Sequence, residues 1–164
     1  MTSFQIRSAR PGDHQVIFRL ISALADYEKM ADRVTGSPEQ LAEYLFGAQP
    51  IAEVLLAEVP DQPEAVGFAL FFPNFSTFLT QPGLYLEDLF VQPAYRQLGI
   101  GKALLVQLAQ LAVQRGYGRL EWMVLDWNQP AIGFYQRIGA EALNEWIPNR
   151  VSGDNLIKLA QGLI

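Results

Sequence analysis

Cysteine is absent from the 164 residues, which excludes disulfides, Cys-ligated zinc, iron–sulfur clusters and thiol nucleophiles. Histidine occurs once, at His14, so a Ser-His triad or a multi-histidine metal site has no material to build on, and no metal is expected. Charge is scarce, at 18% of residues, and basic residues are the minority: twelve Lys and Arg against seventeen Asp and Glu, a net charge of -5. That is the wrong sign for a nucleic-acid partner, which is bound through its phosphates, and leaves a cationic partner easier to attract. No apolar run approaches the roughly 18 residues of a membrane span, so no membrane partner is expected. The opening MTSFQIRSARPGDHQ lacks the basic flank and apolar stretch of a signal peptide. The expectation is a cytoplasmic protein. Half the residues are hydrophobic, and the length suits one core, so a single domain over residues 1–164 is expected.

The apolar pattern changes along the chain. FQIRS at 4–8 alternates as a short strand. After Pro11-Gly12-Asp13, Val16, Ile17, Leu20, Ile21 and Leu24 recur at helical spacing up to about Tyr27. Ser37-Pro38-Glu39-Gln40 opens a second helix with a capping-box pattern, and Leu41, Tyr44 and Leu45 form its apolar face. IAEVLLAEV (51–59), AVGFALFF (65–72) and LYLEDLFV (84–91) read as an antiparallel meander. Residues 99–115 carry Leu104, Leu105, Leu108, Leu111 and Ala112 at helical spacing with Gly116 as the stop. RLEWMVL (119–125) reads as a strand, a helix starts near Pro130, and weaker strands are expected at 142–147 and 155–160. The fold class is therefore α/β, a mixed and mostly antiparallel sheet flanked by helices.

The segment richest in chemistry is Arg96-Gln97-Leu98-Gly99-Ile100-Gly101-Lys102, between a strand and a helix. Glycines there allow close backbone approach, and the helix start offers unpaired N–H groups to an anion. It is not a Walker A loop, because Arg96 takes the first glycine position and Ala103 follows Lys102; nor is it a dinucleotide turn, because Leu104 stands at the third glycine. The Arg-x-x-Gly-x-Gly spacing resembles the pyrophosphate loop of the GNAT N-acetyltransferases. Tyr85-Leu86-Glu87-Asp88-Leu89-Phe90-Val91, Leu125-Asp126-Trp127-Asn128-Gln129-Pro130 and Phe134-Tyr135-x-x-x-Gly139-Ala140 follow the order and spacing of that family. Together they resemble its diamine branch, the spermidine/spermine acetyltransferase-like group that includes thialysine acetyltransferases. Leu20-Ile21-x-x-Leu24-Ala25-x-Tyr27-Glu28 and Leu56-Ala57-Glu58-Val59 extend the resemblance over about residues 4–140.

The resemblance implies acetyl-CoA as co-substrate and a homodimer. It places the CoA pyrophosphate on the main chain of Gln97, Leu98, Gly99, Ile100, Gly101 and Lys102, with Arg96 and Lys102 adding charge, and the pantetheine arm beside Leu89, Phe90 and Val91. Asn128, Gln129, Pro130 and Ala131 extend the cofactor contact, Pro130 chiefly by setting the helix start. Tyr135 is implied as the general acid at the thioester sulfur; a core tyrosine is the alternative. Glu87 is implied as the group that takes the amine proton through water or holds the ammonium, against an outward strand carboxylate. By strand alternation Asp88 points away from Glu87, so the two are not expected to share a role. Tyr27, Glu28, Glu121, Trp122 and Met123 are implied on the amine side, where an acid and apolar walls suit a diamine or lysine-like chain. Glu28 as a solvated helix end, Trp122 as core and Lys102 as a surface lysine are the plainer readings.

Two departures from the family pattern stand out. Gln97 occupies a position that is often glycine, so a positive φ there means strain; beyond Ala140 the resemblance is weak. The resulting expectation is direct acetyl transfer to a primary amine of a small cationic molecule, a diamine, polyamine or thialysine-like amino acid. The alternatives are a protein lysine or N-terminal amine as acceptor, or a non-catalytic acyl-CoA sensor. An amino-acid substrate also needs a basic residue for its carboxylate, for which Arg19 is the candidate.

Overall fold

The structure, a computed structural model, describes residues 3–60 and 62–163. It comprises two compact units, Met1–Met123 and Val124–Ile164. The first holds strands β1 (Gln5–Ser8), β2 (Glu53–Glu58), β3 (Gly67–Ser76), β4 (Gln81–Val91) and β5 (Leu120–Trp122) and helices α1 (His14–Tyr27), α2 (Pro38–Phe46) and α3 (Ile100–Gln114). Among the described residues these strands form one sheet in the order β1-β2-β3-β4-β5. The first four are antiparallel neighbours, and β5 joins β4 in parallel after the crossover through α3. The expected mixed, mostly antiparallel sheet is what forms.

Each helix is set by local chemistry. In α1 the buried side chains are Ile17, Leu20, Leu24 and Ala25, one face at helical spacing. Asp13 does not cap it: its carboxylate takes the Arg7 guanidinium at 2.6 and 3.0 Å and the Arg10 N–H at 2.8 Å, tying β1 to the helix start. At the other end Lys29 sits at φ +59° while the Met30 N–H reaches the Ala25 carbonyl at 2.8 Å, a Schellman closure without the usual glycine. The capping box of α2 forms as expected, Gln40 N–H to Ser37 Oγ at 3.2 Å and Ser37 N–H to Gln40 Oε1 at 3.1 Å.

Both sheet faces are covered. Ile17, Leu20 and Leu24 of α1 and Leu45 of α2 pack with Val54, Leu56, Phe68 and Phe90. The buried Ile100, Leu104, Leu105, Leu108 and Ala112 of α3 lie outside that cluster and take the other face.

One irregularity positions the site. Along β3 and β4 the partners are Phe68↔Phe90, Ala69↔Leu89 and Leu70↔Asp88, but the next pair is Phe71↔Leu86. Glu87 is thus an extra residue, a β-bulge. Before it, Leu84 and Leu86 lie on the α3 face; after it, Asp88 and Phe90 lie on the α1 face. Tyr85, opposite Phe72, is also on the α1 face, and alternation from Leu86 turns Glu87 the same way. The expectation that Asp88 points away from Glu87 is therefore corrected: alternation fails where a residue is inserted.

The second unit contains α4 (Gln129–Arg137) and α5 (Gly153–Ala160). Asn128 caps α4 by accepting the Ala131 N–H at 3.4 Å, and Pro130 sits in its first turn. The strands expected at 142–147 and 155–160 are corrected. The first pairs with no described strand, and an unladdered strand leaves its main chain unsatisfied. The second lies within α5, because Leu156, Ile157 and Leu159 fit a helix as well as an alternation over so short a run. Among the described residues no helix is long and apolar enough to cross a membrane.

Leu56 is fully buried at the centre of the α1-side cluster. Leu56→Ala is expected to cost about 2–5 kcal/mol, read as a lower midpoint in urea denaturation.

Candidate active site

The segment joining β4 to α3 is built as an anion cradle. Gln97 and Gly99 have φ of +65° and +87°, and Gly99 is the residue before α3. These turns leave the main-chain N–H groups of Gln97 to Lys102 with no acceptor among the described residues, pointing from an exposed loop and a helix start. Gly99 is required by its φ. Gly101 is not, and a Cβ there would meet no protein atom within 4 Å, so its smallness leaves room for a ligand. Gln97 lacks that excuse: its left-handed backbone carries a cost of about 1 kcal/mol, the strain its identity foreshadowed.

Arg96 is placed differently from Lys102, which is exposed at the start of α3. Its Nε donates to the Val91 carbonyl at 3.0 Å, and its guanidinium lies 4.4 Å from the ring centre of Tyr27 and 5.7 Å from that of Phe90. It is a cation sandwiched against aromatic faces, linking the loop to the end of α1.

Beside the cradle β4 has an open edge. β5 pairs with it only at Leu84, Tyr85 and Leu86, so from Glu87 to Val91 no strand among the described residues pairs with the side away from β3. An extended chain with amide groups can add there as a strand would. Leu89 and Val91 face the α3 side and Phe90 the α1 side by their β3 partners.

On the α1 face the bulge gathers acids. The half-buried Asp88 carboxyl is pushed up to about 6, first by burial, then by the charges of Glu87 and Glu28. Glu28, half-buried at the end of α1, is raised by burial. Glu87 is exposed. Burial, then Glu87 and Glu121, raise the Tyr85 phenol, which stands between those two carboxylates. The structure therefore brings Tyr27, Glu28 and Glu87 together and adds Asp88, which sequence alternation had set aside.

Farther from the bulge, Glu121 lies opposite Tyr85, and its Oε2 accepts the Asn74 Nδ2 at 2.7 Å and faces the Arg119 Nε at 2.8 Å. Trp122 is opposite Leu86 and so on the other face, away from the acids, as alternation along β5 requires, while Met123 is exposed just beyond the strand. Arg19 is exposed and paired with Glu64, so it does not enter the site. In the second unit Asn128, Gln129, Pro130 and Ala131 form the start of α4. Tyr135 is half-buried on the same helix, its ring 5.4 Å from that of Phe134.

If the cradle holds the CoA pyrophosphate as the resemblance implies, Gly101→Leu is expected to weaken CoA binding at least about tenfold in calorimetric titration without lowering the thermal midpoint, because leucine is the better helix former and a Cβ at this position meets no protein atom within 4 Å. Asp88 supplies a pH test. Its carboxyl holds a proton more tightly in the fold than the unfolded value of about 3.9. Its contribution to stability is thus full below pH 4 and is lost as pH rises through about 6. Asp88→Asn should therefore stabilise the protein at pH 8, by about 3 kcal/mol, and have little effect at pH 4, as read by urea denaturation at both.

Comparison with known proteins agrees with this geometry. Residues 20–140 match the model of the acetyltransferase (GNAT) family. The chain is 38% identical to thialysine N-epsilon-acetyltransferase of Bos taurus, covering 98% of this chain and 99% of that protein. It is 33% identical to L-ornithine N5-acetyltransferase NATA1 of Arabidopsis thaliana, covering 93% and 86%. An integron cassette protein from the mobile metagenome of V. cholerae has a similar structure, with a TM-score of 0.79 at 29% identity over 98% of this chain and 99% of that one. The bulged strand, its open edge and the N–H cradle thus sit in a chain that belongs to the GNAT family of acetyltransferases.

Proposed function

We propose that this protein transfers the acetyl group of acetyl-CoA directly to a primary amine of a small cationic substrate. The observation that carries the reading is the meeting, at the β4 bulge, of an acidic cluster on one face with an open strand edge that runs to the anion cradle. Glu28, Glu87 and Asp88 supply negative charge for an ammonium, while the edge from Glu87 to Val91 and the N–H groups of Gln97 to Lys102 suit pantetheine and pyrophosphate. The relatives named for thialysine and ornithine support a small amine as acceptor.

The chemistry follows from the proton inventory. An alkylamine of pKa about 10 arrives as ammonium and must lose a proton before attack. Exposed Glu87 receives it through water, and Asp88 and Glu28 hold the cation in place until then. The free amine attacks the thioester carbonyl, the tetrahedral intermediate collapses with cleavage of the C–S bond, the leaving thiolate takes a proton from the phenol of Tyr135, and the second proton of the amine nitrogen passes through water to restore that phenol. Asn128, Gln129, Pro130 and Ala131, at the start of α4, are read as cofactor-binding residues on the family resemblance alone. A chain without cysteine has no thiol for an acyl-enzyme, in keeping with direct attack. We read the protein as a cytoplasmic homodimer; the exposed apolar side chains of Leu143, Trp146, Ile147, Leu156 and Ile157 support an interface.

CoA release from acetyl-CoA in the presence of ornithine, thialysine, putrescine, spermidine or a lysine peptide is the test. Turnover with at least one small amine, and none with the peptide, is expected. Binding of acetyl-CoA without turnover of any amine would leave a sensor instead. Tyr135→Phe should lower kcat at least about tenfold with little change in acetyl-CoA affinity, and an unaltered rate would remove it as the acid.

A further inference from the structure

The α1 face of the sheet is ordered in rows. Asn74 on β3, Gly83 on β4 and Arg119, the residue before β5, are neighbours; the next row is Phe72, Tyr85 and Glu121; the row after that holds Leu70 and Asp88, with Glu87 inserted beside them. Successive rows stand about 7 Å apart. α1 covers the Phe68 and Phe90 end, whereas Leu70, Phe72, Asn74 and Tyr85 are only half-buried and form an accessible strip.

The far end of that strip is built around a missing side chain. A Cβ on Gly83 would come within 2.6 Å of Asn74 Oδ1 and 2.8 Å of Arg119 Cγ, so Arg119 lies across the strand only because glycine is there. Both of its neighbours use one oxygen of Glu121: Asn74 donates to Oε2, and Arg119 Nε approaches the same atom. Glu121 Oε1 and the terminal Nη groups of Arg119 make no hydrogen bond among the described residues, and the two side chains are 29% and 33% exposed. One end of the strip therefore carries Glu28, Glu87 and Asp88, with Arg96 held beyond them against Tyr27 and Phe90. The other presents a carboxylate oxygen and a guanidinium edge side by side.

The geometry points to an α-amino-acid head-group site: Arg119 takes the α-carboxylate through its Nη groups, Glu121 Oε1 takes the α-ammonium, and the side chain runs past Tyr85 to present its terminal amine at Glu87 and Asp88. This rests on the proposed acetyltransfer and names its substrate class as a diamino acid. Length agrees, since a side chain of four or five bonds spans about 5–6 Å, close to one row. Charge agrees as well, since a carboxylate there gains paired charge-assisted hydrogen bonds from Arg119 that the far end of a diamine has no group to make. Asn74 and Gly83 are positioning residues, one fixing Glu121 and the other making room for Arg119.

The test compares each diamino acid with its decarboxylated counterpart, ornithine with putrescine and lysine with cadaverine, by kcat/KM at saturating acetyl-CoA. The unaltered protein should prefer the amino acid at least about tenfold, and ornithine methyl ester should lose that preference. In Arg119→Gln the ratio of ornithine to putrescine should fall at least about tenfold, mainly through KM, while Arg19→Gln, an exposed cation outside the strip, leaves the ratio as it was. Being a ratio, it does not depend on how much of a variant folds, and the ester needs no variant. Equal use of ornithine, its ester and putrescine by the unaltered protein, or an unchanged ratio in Arg119→Gln, overturns the head-group site and leaves the proposed function intact. No turnover of any amine overturns the proposed function and this site together.

Discussion

The hydrogen-bond register between β3 and β4 is the constraint on which the rest depends. Up to Leu86 the two strands pair in one phase, and from Asp88 onward in the other, with Glu87 belonging to neither. A single inserted residue reverses which side chains face α1. It puts Asp88 and Phe90 where unbroken alternation would have put Leu89, and it allows two adjacent acids to share a face. β5 stops pairing with β4 at Leu86, immediately before that point, so the edge that opens for a ligand begins where the register slips. The acidic cluster and the open strand edge are thereby brought to one place by one backbone feature.

That arrangement has an energetic cost. Three carboxylates near one another, with Asp88 pushed up to about 6, work against the fold at neutral pH. Gln97 held at φ +65° adds backbone strain to the cradle. The offsetting terms lie elsewhere, in the fully buried Ile17, Leu56, Phe68, Leu104 and Leu108 on the two sheet faces and in the Arg7, Asp13 and Glu58 cluster that fastens α1 to the first strands. Strain and crowded charge at the site, with close packing around it, are the pattern expected where a protein must bind a charged ligand.

Much of this was legible in the sequence. Helix starts at Pro38 and near Pro130, the meander, and the crossover into a parallel strand all follow from capping residues and apolar periodicity. The Arg96 to Lys102 loop announced an anion site. What could not be read was the bulge. A strand packed on both faces carries apolar residues in both phases, so Leu84, Leu86 and Phe90 keep an even spacing across the slip and give no sign of it. For the same reason alternation gives Asp88 the wrong face, and the sequence carries no signal for Arg119, whose placement depends on the absence of a side chain at Gly83. Beyond Ala140 the short apolar runs fit either period, and the helical one prevailed in α5.

The central claim is that the bulge assembles an ammonium site from Glu28, Glu87 and Asp88. The most direct measurement is the pH dependence of amine affinity in the CoA-bound protein, followed by calorimetry from pH 5 to 8. Because the carboxyl of Asp88 loses its proton near pH 6, affinity for a cationic amine should climb through that pH and level off above it, and the Asp88→Asn variant should show no such climb. A flat profile in the unaltered protein would contradict the account.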